Sequence, residues 1–459
     1  MSASEGPSAT TPARDHDLVL FGATGFVGRL TAAHLAEHAP EGIRIALAGR
    51  DRTRLEQVRH GLGDRAASWP LLVVDAADTA AVTDLARSTR VVVTTVGPYA
   101  KYGKPLLGAC AQAGTHYCDL TGEVLFVRDM IDAHHDQAVA SGAKIIPSCG
   151  FDSVPSDLGV WLTAQTVAAD GEGTLGETLL HVRSLRGGIS GGTVDSMRQQ
   201  AIVSSADPAA RRTAADPYGL SPDRSAEPSR RPHGAAGAAS GQGPSTGGEA
   251  SGAAGTRGGR AAYLLPKGLV DKATRMFPAR LDPVTGRWVA PFFMASYNTR
   301  VVRRSNALTG WSYGREFRYD EVMDTGTGAP GAVKAGVTTA AILGLFGGMT
   351  FGPTRALLDR VLPEPGEGPS EESMARGRFI LQIETTTTTG ARYRTTVRAD
   401  YDPGYTGTAV MLGQSALALA AGDGLPEAAG VLTPATGLGS VLVDRLRTHG
   451  FTLDCERLS

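Results

Sequence analysis

The stretch Asp17-Leu18-Val19-Leu20-Phe21-Gly22-Ala23-Thr24-Gly25-Phe26-Val27-Gly28 decides how this chain is read. Its first five residues read as a buried strand. Three glycines at G-x-x-G-x-x-G spacing follow, and then an Ala-rich run of helical length over residues 29–39. Gly22 permits a tight turn, Gly25 lets a ligand approach the backbone, and Gly28 lets helix and strand pack closely. The start of the helix offers free N–H groups and the positive end of its dipole to an anion. Gly22, Ala23, Thr24, Gly25, Phe26, Val27 and Gly28 therefore predict the pyrophosphate cradle of a dinucleotide.

Working outward, the same alternation recurs. Residues 43–47, 71–74, 91–96 and 144–147 are short β-branched or aliphatic runs, separated by Ala-rich segments such as Thr79 to Ser88. Strands that are apolar on both faces and separated by helices predict a parallel, doubly wound α/β sheet of Rossmann type. The second run ends Ala48-Gly49-Arg50-Asp51-Arg52-Thr53-Arg54. An acidic residue at that strand tip would bind a ribose 2′-hydroxyl. Arg50 stands there instead, with Arg54 behind it, which suits a 2′-phosphate and predicts NADP(H). Asp75, at the third tip, is placed to meet the adenine amino group or to cap the next helix. The fourth run ends Gly97-Pro98-Tyr99, a forced turn on the nicotinamide side that leaves Tyr99 and Lys101 near the chemistry.

The rest of the chain reads as a second, α+β domain on a mixed or antiparallel sheet. Thr178 to Arg183 and Ser312 to Tyr319 are strand-like, and Phe379–Thr389 with Arg392–Ala399 reads as a hairpin turning at Gly390. Residues 207–260 are rich in Ala, Gly, Pro and Ser, with Tyr218 and Leu220 as their only large apolar side chains. Such a stretch cannot offset the entropy of ordering, so it reads as a disordered insertion. The expected organisation is a disordered leader (1–16), an NADP-binding domain (17–150) and a substrate or dimerisation domain (151–206 and 261–432). A C-terminal helix and strand (433–459) is expected to pack back on the first domain, its helix starting at Thr433-Pro434 and stopping at Gly450. Ala335 to Thr354 carries no charge and is long enough to span a bilayer, but its glycines favour a buried or surface-associated helix.

Composition narrows the function. The formal net charge is -1 and aromatics are 6% of 459 residues, which argues against nucleic-acid binding by bulk charge. Cys110, Cys118, Cys149 and Cys455 form no C-x-x-C pair, so neither a zinc site nor a disulfide framework is expected, and no metal set forms around His134 and His135. The start of the chain shows no basic-then-apolar signal pattern. A cytoplasmic setting follows, with contact at the inner face of the plasma membrane through 335–354 as an open expectation.

Further motifs carry a resemblance. Gly97-Pro98-Tyr99, Ala113-Gly114-Thr115-His116-Tyr117-Cys118-Asp119-Leu120-Thr121-Gly122-Glu123 and Cys149-Gly150-Phe151-Asp152-Ser153-Val154-Pro155 resemble saccharopine-dehydrogenase-like oxidoreductases. With Gly191-Gly192-Thr193, Asp402-Pro403-Gly404-Tyr405 and Leu432-Thr433-Pro434-Ala435, the pattern is similar to trans-acting enoyl reductases of bacterial lipid and polyketide assembly. The resemblance implies NADPH-dependent reduction of a C=C bond on a carrier-bound acyl or lipid-like chain in glycolipid biosynthesis. A saccharopine-type C–N dehydrogenase and a non-catalytic NADP-binding protein at a membrane are the competing readings, and a homodimer is open.

An enoyl thioester needs a donor to its carbonyl oxygen and a proton for its α-carbon. Tyr99, Lys101, Asp152 and Ser153 are the candidates, the last two at the start of a helix carrying Val154, Leu158 and Leu162. Plain N-capping is the competing role for Asp152 and Ser153. Asp119 and Glu123 read as a carboxylate pair near the nicotinamide or as caps of the following helix, and Cys149 as a buried thiol.

Overall fold

The computed structural model describes residues 14–187, 191–227, 279–283, 285–350 and 368–459. Its first layer is a parallel sheet of β1 (His16–Phe21), β2 (Ile45–Gly49), β3 (Leu71–Val73), β4 (Thr89–Thr94), β5 (His116–Cys118) and β6 (Lys144–Ile146). The strands lie in the order β6-β5-β4-β1-β2-β3. Their crossovers carry α1 (Phe26–His38), α2 (Arg52–Gly61), α3 (Thr79–Ser88), α4 (Tyr99–Ala113) and α5 (Val124–Ser141). The order reverses between β1 and β4, so a crevice opens beyond their carboxyl ends, where Gly22 and Thr95 face each other. Leu18, Val19, Leu20, Val91, Val92 and Val93 are fully buried, as strands covered on both faces must be.

After α6 (Val154–Ala169) the chain builds a second, mixed sheet. Its strands are β7 (Leu175–Arg186), β8 (Arg280–Leu281), β9 (Trp288–Pro291), β10 (Arg318–Gly326), β11 (Arg378–Thr387) and β12 (Arg392–Ala399). β7 and β10 are parallel and the other described pairs antiparallel. The hairpin at Gly390 is present, with φ +94 there. The strand expected over 312–319 begins only at Arg318. Trp311 (φ +66) and Gly314 (φ +113) turn the chain just before it, and a Cβ on Gly314 would meet Thr174 Oγ1 at 2.8 Å. α6 lies against the inner face of this sheet; Gly159 approaches so closely that a Cβ would sit 2.5 Å from Ile383 Cδ1.

The helices of this half are α7 (Gly191–Ala206), α8 (Pro208–Ala215), α9 (Ala295–Leu308), α10 (Gly328–Thr350), α11 (Glu371–Ala375), α12 (Thr406–Ala421) and α13 (Pro434–Thr448). Two strands complete the sheets, β13 (Gly430–Val431) beside β6 and β14 (Thr452–Arg457) beside β12. The two layers are therefore interleaved in sequence. α12 and β13, read as parts of the second domain, join the first layer, with α12 packed on α1 and β4. The C-terminal strand, expected on the first layer, pairs in the second sheet instead. Thr433 caps α13 as expected: its side chain and that of Thr436 form a reciprocal capping box.

Two segments expected to be unstructured are partly folded. Arg14 Nη2 donates to Ala113 O at 2.6 Å and ties the end of the leader to α4. Residues 207–227 form α8 and a turn in which Leu220 is fully buried. The reason lies on α9. Arg300 donates to Ala214 O and Asp216 O, Arg303 to Pro217 O, and Arg304 to Leu220 O and Val431 O. Polar anchoring of backbone carbonyls thus substitutes for the missing apolar side chains. The remaining leader (1–13) and insertion (228–260) lie outside the described residues. Arg304 is 1% exposed, and burial lowers its guanidinium to about 9. Arg304→Ala is expected to cost about 2–4 kcal/mol, because two enclosed carbonyls lose their donor. A denaturant midpoint equal to the parent's would contradict this anchoring.

α10 is long and apolar enough to cross a membrane by length and composition, and 17% of its apolar window is buried. It is not a core helix. Val333, Val337 and Phe346 are exposed on it.

Candidate functional site

Gly22 adopts φ +92, and a Cβ there would meet Thr95 Oγ1 at 2.7 Å. Gly25 donates its N–H to Gly22 O (3.0 Å) and is the N-cap of α1, with no side chain satisfying the first-turn N–H groups. A Cβ on Gly28 would fall 2.1 Å from Gly22 O. These observations fit a dinucleotide: bare N–H groups face the crevice and no side chain can fill it.

The arginines at the tip of β2 differ in their surroundings. Arg52 pairs with Glu56 (3.1 Å) and Arg54 with Asp51 (3.6 Å), while Asp51 accepts from Arg54 N and caps α2. Arg50 is exposed and, among the described residues, makes no ion pair. Its neighbour Gly49 lies by Thr24 of the glycine turn. A cation left over at this spot fits a 2′-phosphate. Asp75 is exposed at the tip of β3 and accepts from Ala77 N (2.9 Å), a local turn bond that leaves its second oxygen available.

From the glycine turn a cavity of about 340 Å³ runs between the two layers. Gly25–Gly28, Gly97, Pro98 and Tyr99 form one wall, and Gly191–Thr193, Tyr405, Phe293, Met294, Ser296 and Tyr297 line the rest. Asp152 lines this cavity. Its carboxyl has no hydrogen-bond partner among the described residues, and burial raises it to about 6.

The other catalytic candidates are placed differently. The Tyr99 hydroxyl is committed, donating to Thr94 O (3.2 Å) and accepting from Leu120 N (3.2 Å). Burial also pushes it well above the usual phenol range. Tyr99 is a wall, not a donor. Lys101 is exposed on α4, stacked over Tyr102 at 4.8 Å, and does not line the cavity. Ser153 is fully buried with an unpartnered Oγ; it neither lines the cavity nor caps α6 through its side chain. A helix start turns these side chains away from one another, so Asp152 and Ser153 cannot both face the ligand.

A hydroxyl pair not singled out from the sequence stands in the same cavity. Tyr297, on α9, contacts Ser148 Oγ. Ser148 adopts φ +67, held there because its N–H donates to Asp119 Oδ1 (2.9 Å) and its Oγ to Thr121 O (2.7 Å). The serine proton is thereby spent, so the phenol donates to Ser148. Asp119 also accepts from Tyr117 OH (2.7 Å) and Thr121 N (2.9 Å); burial raises it to about 6 against these bonds. Glu123 accepts from Tyr99 N (2.9 Å), Ala100 N (2.8 Å) and Ser196 Oγ (2.8 Å). It caps α4, not the following helix, and so fixes the strand tip beside the crevice. Cys149 is fully buried, its thiol directed to Ile146 O.

Far from the cavity, His34, His38 and His449 bring ring nitrogens within 4.8 Å of one another. The Gln414 amide already donates to His34 and His449 (2.8 and 3.0 Å), and Arg445 holds that amide's oxygen. The nearby guanidinium opposes a cation there.

Comparison with known proteins bears on this site. The saccharopine dehydrogenase NADP binding domain family matches residues 18–146. A trans-acting enoyl reductase of Mycobacterium tuberculosis is 44% identical over 451 residues, 97% of this chain and 99% of its own. That of Mycobacterium ulcerans is 43% identical over the same shares. A second M. tuberculosis protein, provisionally given the same name, is 45% identical over 454 residues, 98% of this chain and 100% of its own. The apo saccharopine dehydrogenase (L-Glu forming) of Saccharomyces cerevisiae superposes with a TM-score of 0.49 at 12% identity, covering 96% of this chain and 99% of that one.

Proposed function

The chain belongs to the trans-acting enoyl reductase family, and on that premise we propose that it reduces the carbon–carbon double bond of a carrier-bound enoyl thioester with NADPH. The observation that carries the reading is the free, raised carboxyl of Asp152 in the cavity that begins at the glycine turn. NADPH, when bound, supplies the hydride. The protein's share is position, polarisation and a proton.

The cradle of Gly22–Gly28 holds the pyrophosphate on the start of α1, and Arg50 takes the 2′-phosphate, with Arg54 and Asp75 at the adenosine rim. Tyr297 can swing its proton from Ser148 Oγ to a substrate carbonyl oxygen, since Ser148 loses only an accepted bond. Asp152, raised to about 6, holds its proton below that pH and can give it to the α-carbon. Lipid assembly at the inner face of the membrane extends the same reading. Its support is that Phe346, exposed on the apolar α10, also lines the cavity and offers an acyl tail an apolar exit.

The test is NADPH oxidation followed with enoyl thioesters of graded chain length. Consumption that depends on the double bond is expected; tight NADPH binding with no turnover of any enoyl thioester would overturn the proposal. Arg50→Ala is expected to weaken NADPH by about tenfold and NADH much less, because one charge-assisted contact is removed from the 2′-phosphate alone. Equal losses for both cofactors would give Arg50 another role.

A further inference from the structure

Where β7 leaves the second sheet, Arg186 stands directly opposite Arg378 on β11. Like charges opposed across a ladder weaken it. Arg398, on β12, is paired with Ile380 and shares the face of Arg378 by alternation. Three arginines thus stand at one end of one sheet face. Farther along that face the charges are matched: Arg183 and Arg394 both reach Glu384, at 3.3 and 3.1 Å.

At the crowded end they are not. Among the described residues no carboxylate forms an ion pair with Arg186, Arg378 or Arg398, and Asp400, just beyond Arg398, is exposed and bonds none of them. The Arg378 Nε–H is enclosed and has no acceptor. An orphan donor among cations that make no ion pair is costly unless something binds there.

The place in the fold says what. Gly377 packs so tightly on Asp402 that a Cβ would lie 2.3 Å from Asp402 Cα. Two and three residues farther on, Gly404 and Tyr405 line the cavity. Beyond Arg186 the chain leads to Gly191–Thr193, which also line it. The Arg378 Cα is therefore within roughly 14 Å of the cavity wall, about four residues of extended chain, with its side chain on the sheet face opposite α6.

The geometry points to a phosphate-ester subsite in which Arg186, Arg378 and Arg398 hold the phosphate of the pantetheine arm that brings the enoyl thioester to the cavity. The identity of the arm rests on the enoyl reductase reading; the anion site itself does not. A phosphate monoester or diester offers oxygens to several planar guanidinium forks at once, and the neutral arm leaves its thioester end free to enter.

The experiment compares one short enoyl group carried on pantetheine and on 4′-phosphopantetheine. The phosphorylated substrate is expected to show a KM about tenfold lower or better, with the same kcat. Arg186→Gln/Arg378→Gln should erase that advantage while leaving NADPH binding unchanged, and should raise the melting temperature because the opposed charges are gone. Calorimetry with free 4′-phosphopantetheine and with inorganic phosphate reads the site without turnover. If the parent binds 4′-phosphopantetheine, the double variant does not, and neither substrate is reduced, the subsite stands and the activity reading falls. Equal KM values for both arms, unchanged binding by the double variant, or inorganic phosphate bound as tightly as the arm would overturn the subsite.

Discussion

Gly28→Ala is expected to lower NADPH affinity by at least about a hundredfold and to destabilise the fold by about 1–3 kcal/mol. The added methyl would lie 2.1 Å from Gly22 O and 2.9 Å from Gly22 C. Those atoms belong to the backbone of the turn, which the Gly25 N–H bond to Gly22 O closes. Neither can rotate away as a side-chain end could. α1 must therefore back away from β1, and its first-turn N–H groups leave the place where a pyrophosphate would meet them. Losing two charge-assisted bonds, each about 1.5–3 kcal/mol, gives the affinity estimate. Gly25→Ala is the control. Gly25 has φ -71, and its Cβ would lie 3.4 Å from Gly22 O, so any residue can adopt that backbone and the contact is tolerable. Its cost in stability should be several-fold smaller. A Gly28→Ala chain that melts with the parent and titrates NADPH with the parent's affinity would remove the close approach from the argument.

The same glycine turn shows why the first layer was readable from sequence. Every requirement there is local: a strand, a left-handed glycine, a bare helix start, all within Asp17–Gly28. Runs such as Val91–Val93 announce their burial on both faces without reference to distant residues. The second layer obeys partners far away in sequence. Residues 207–227 look unfoldable by composition, and they fold because arginines at 300, 303 and 304 supply donors to their carbonyls. β13 and β14 are assigned to opposite sheets by pairings that no periodicity encodes.

The site divides in the same way. Asp152 was visible as a carboxyl at a helix start, but a helix start could not say that Asp152 faces the cavity while Ser153 faces away. Tyr297 carried no signal, since it becomes a cavity residue only when α9 crosses Ser148. Lys101 and Tyr99 were near the right strand tip, and helix geometry sent one outward and tied the other to Thr94 and Leu120.

Asp152→Asn is the second large effect. Turnover is expected to fall by about 10²–10⁴, the usual contribution of a positioned general acid, while NADPH affinity stays at the parent's value. The amide keeps the shape of the carboxyl and cannot give up its proton. The parent's pH profile should carry the same signature. Burial raises Asp152 to about 6, so the acid form is populated below that pH, and kcat should decline as pH rises through about 6. The Asn variant should lack that limb.

Stability falls over the same rise in pH. The fold favours the protonated carboxyl, so the favourable contribution is full below the unfolded value near 3.9 and is lost as pH rises through about 6. Above that the parent carries a charge its surroundings disfavour, and Asp152→Asn should be more stable by about 1–3 kcal/mol at pH 8 and indistinguishable at pH 4. A residue acting only in packing would change stability without removing the acid limb from the rate profile. An Asn variant that turns over substrate at the parent's rate, or keeps the decline near pH 6, would take the proton away from Asp152 and leave Asp119, which burial also raises to about 6, as the titrating group to examine in its place.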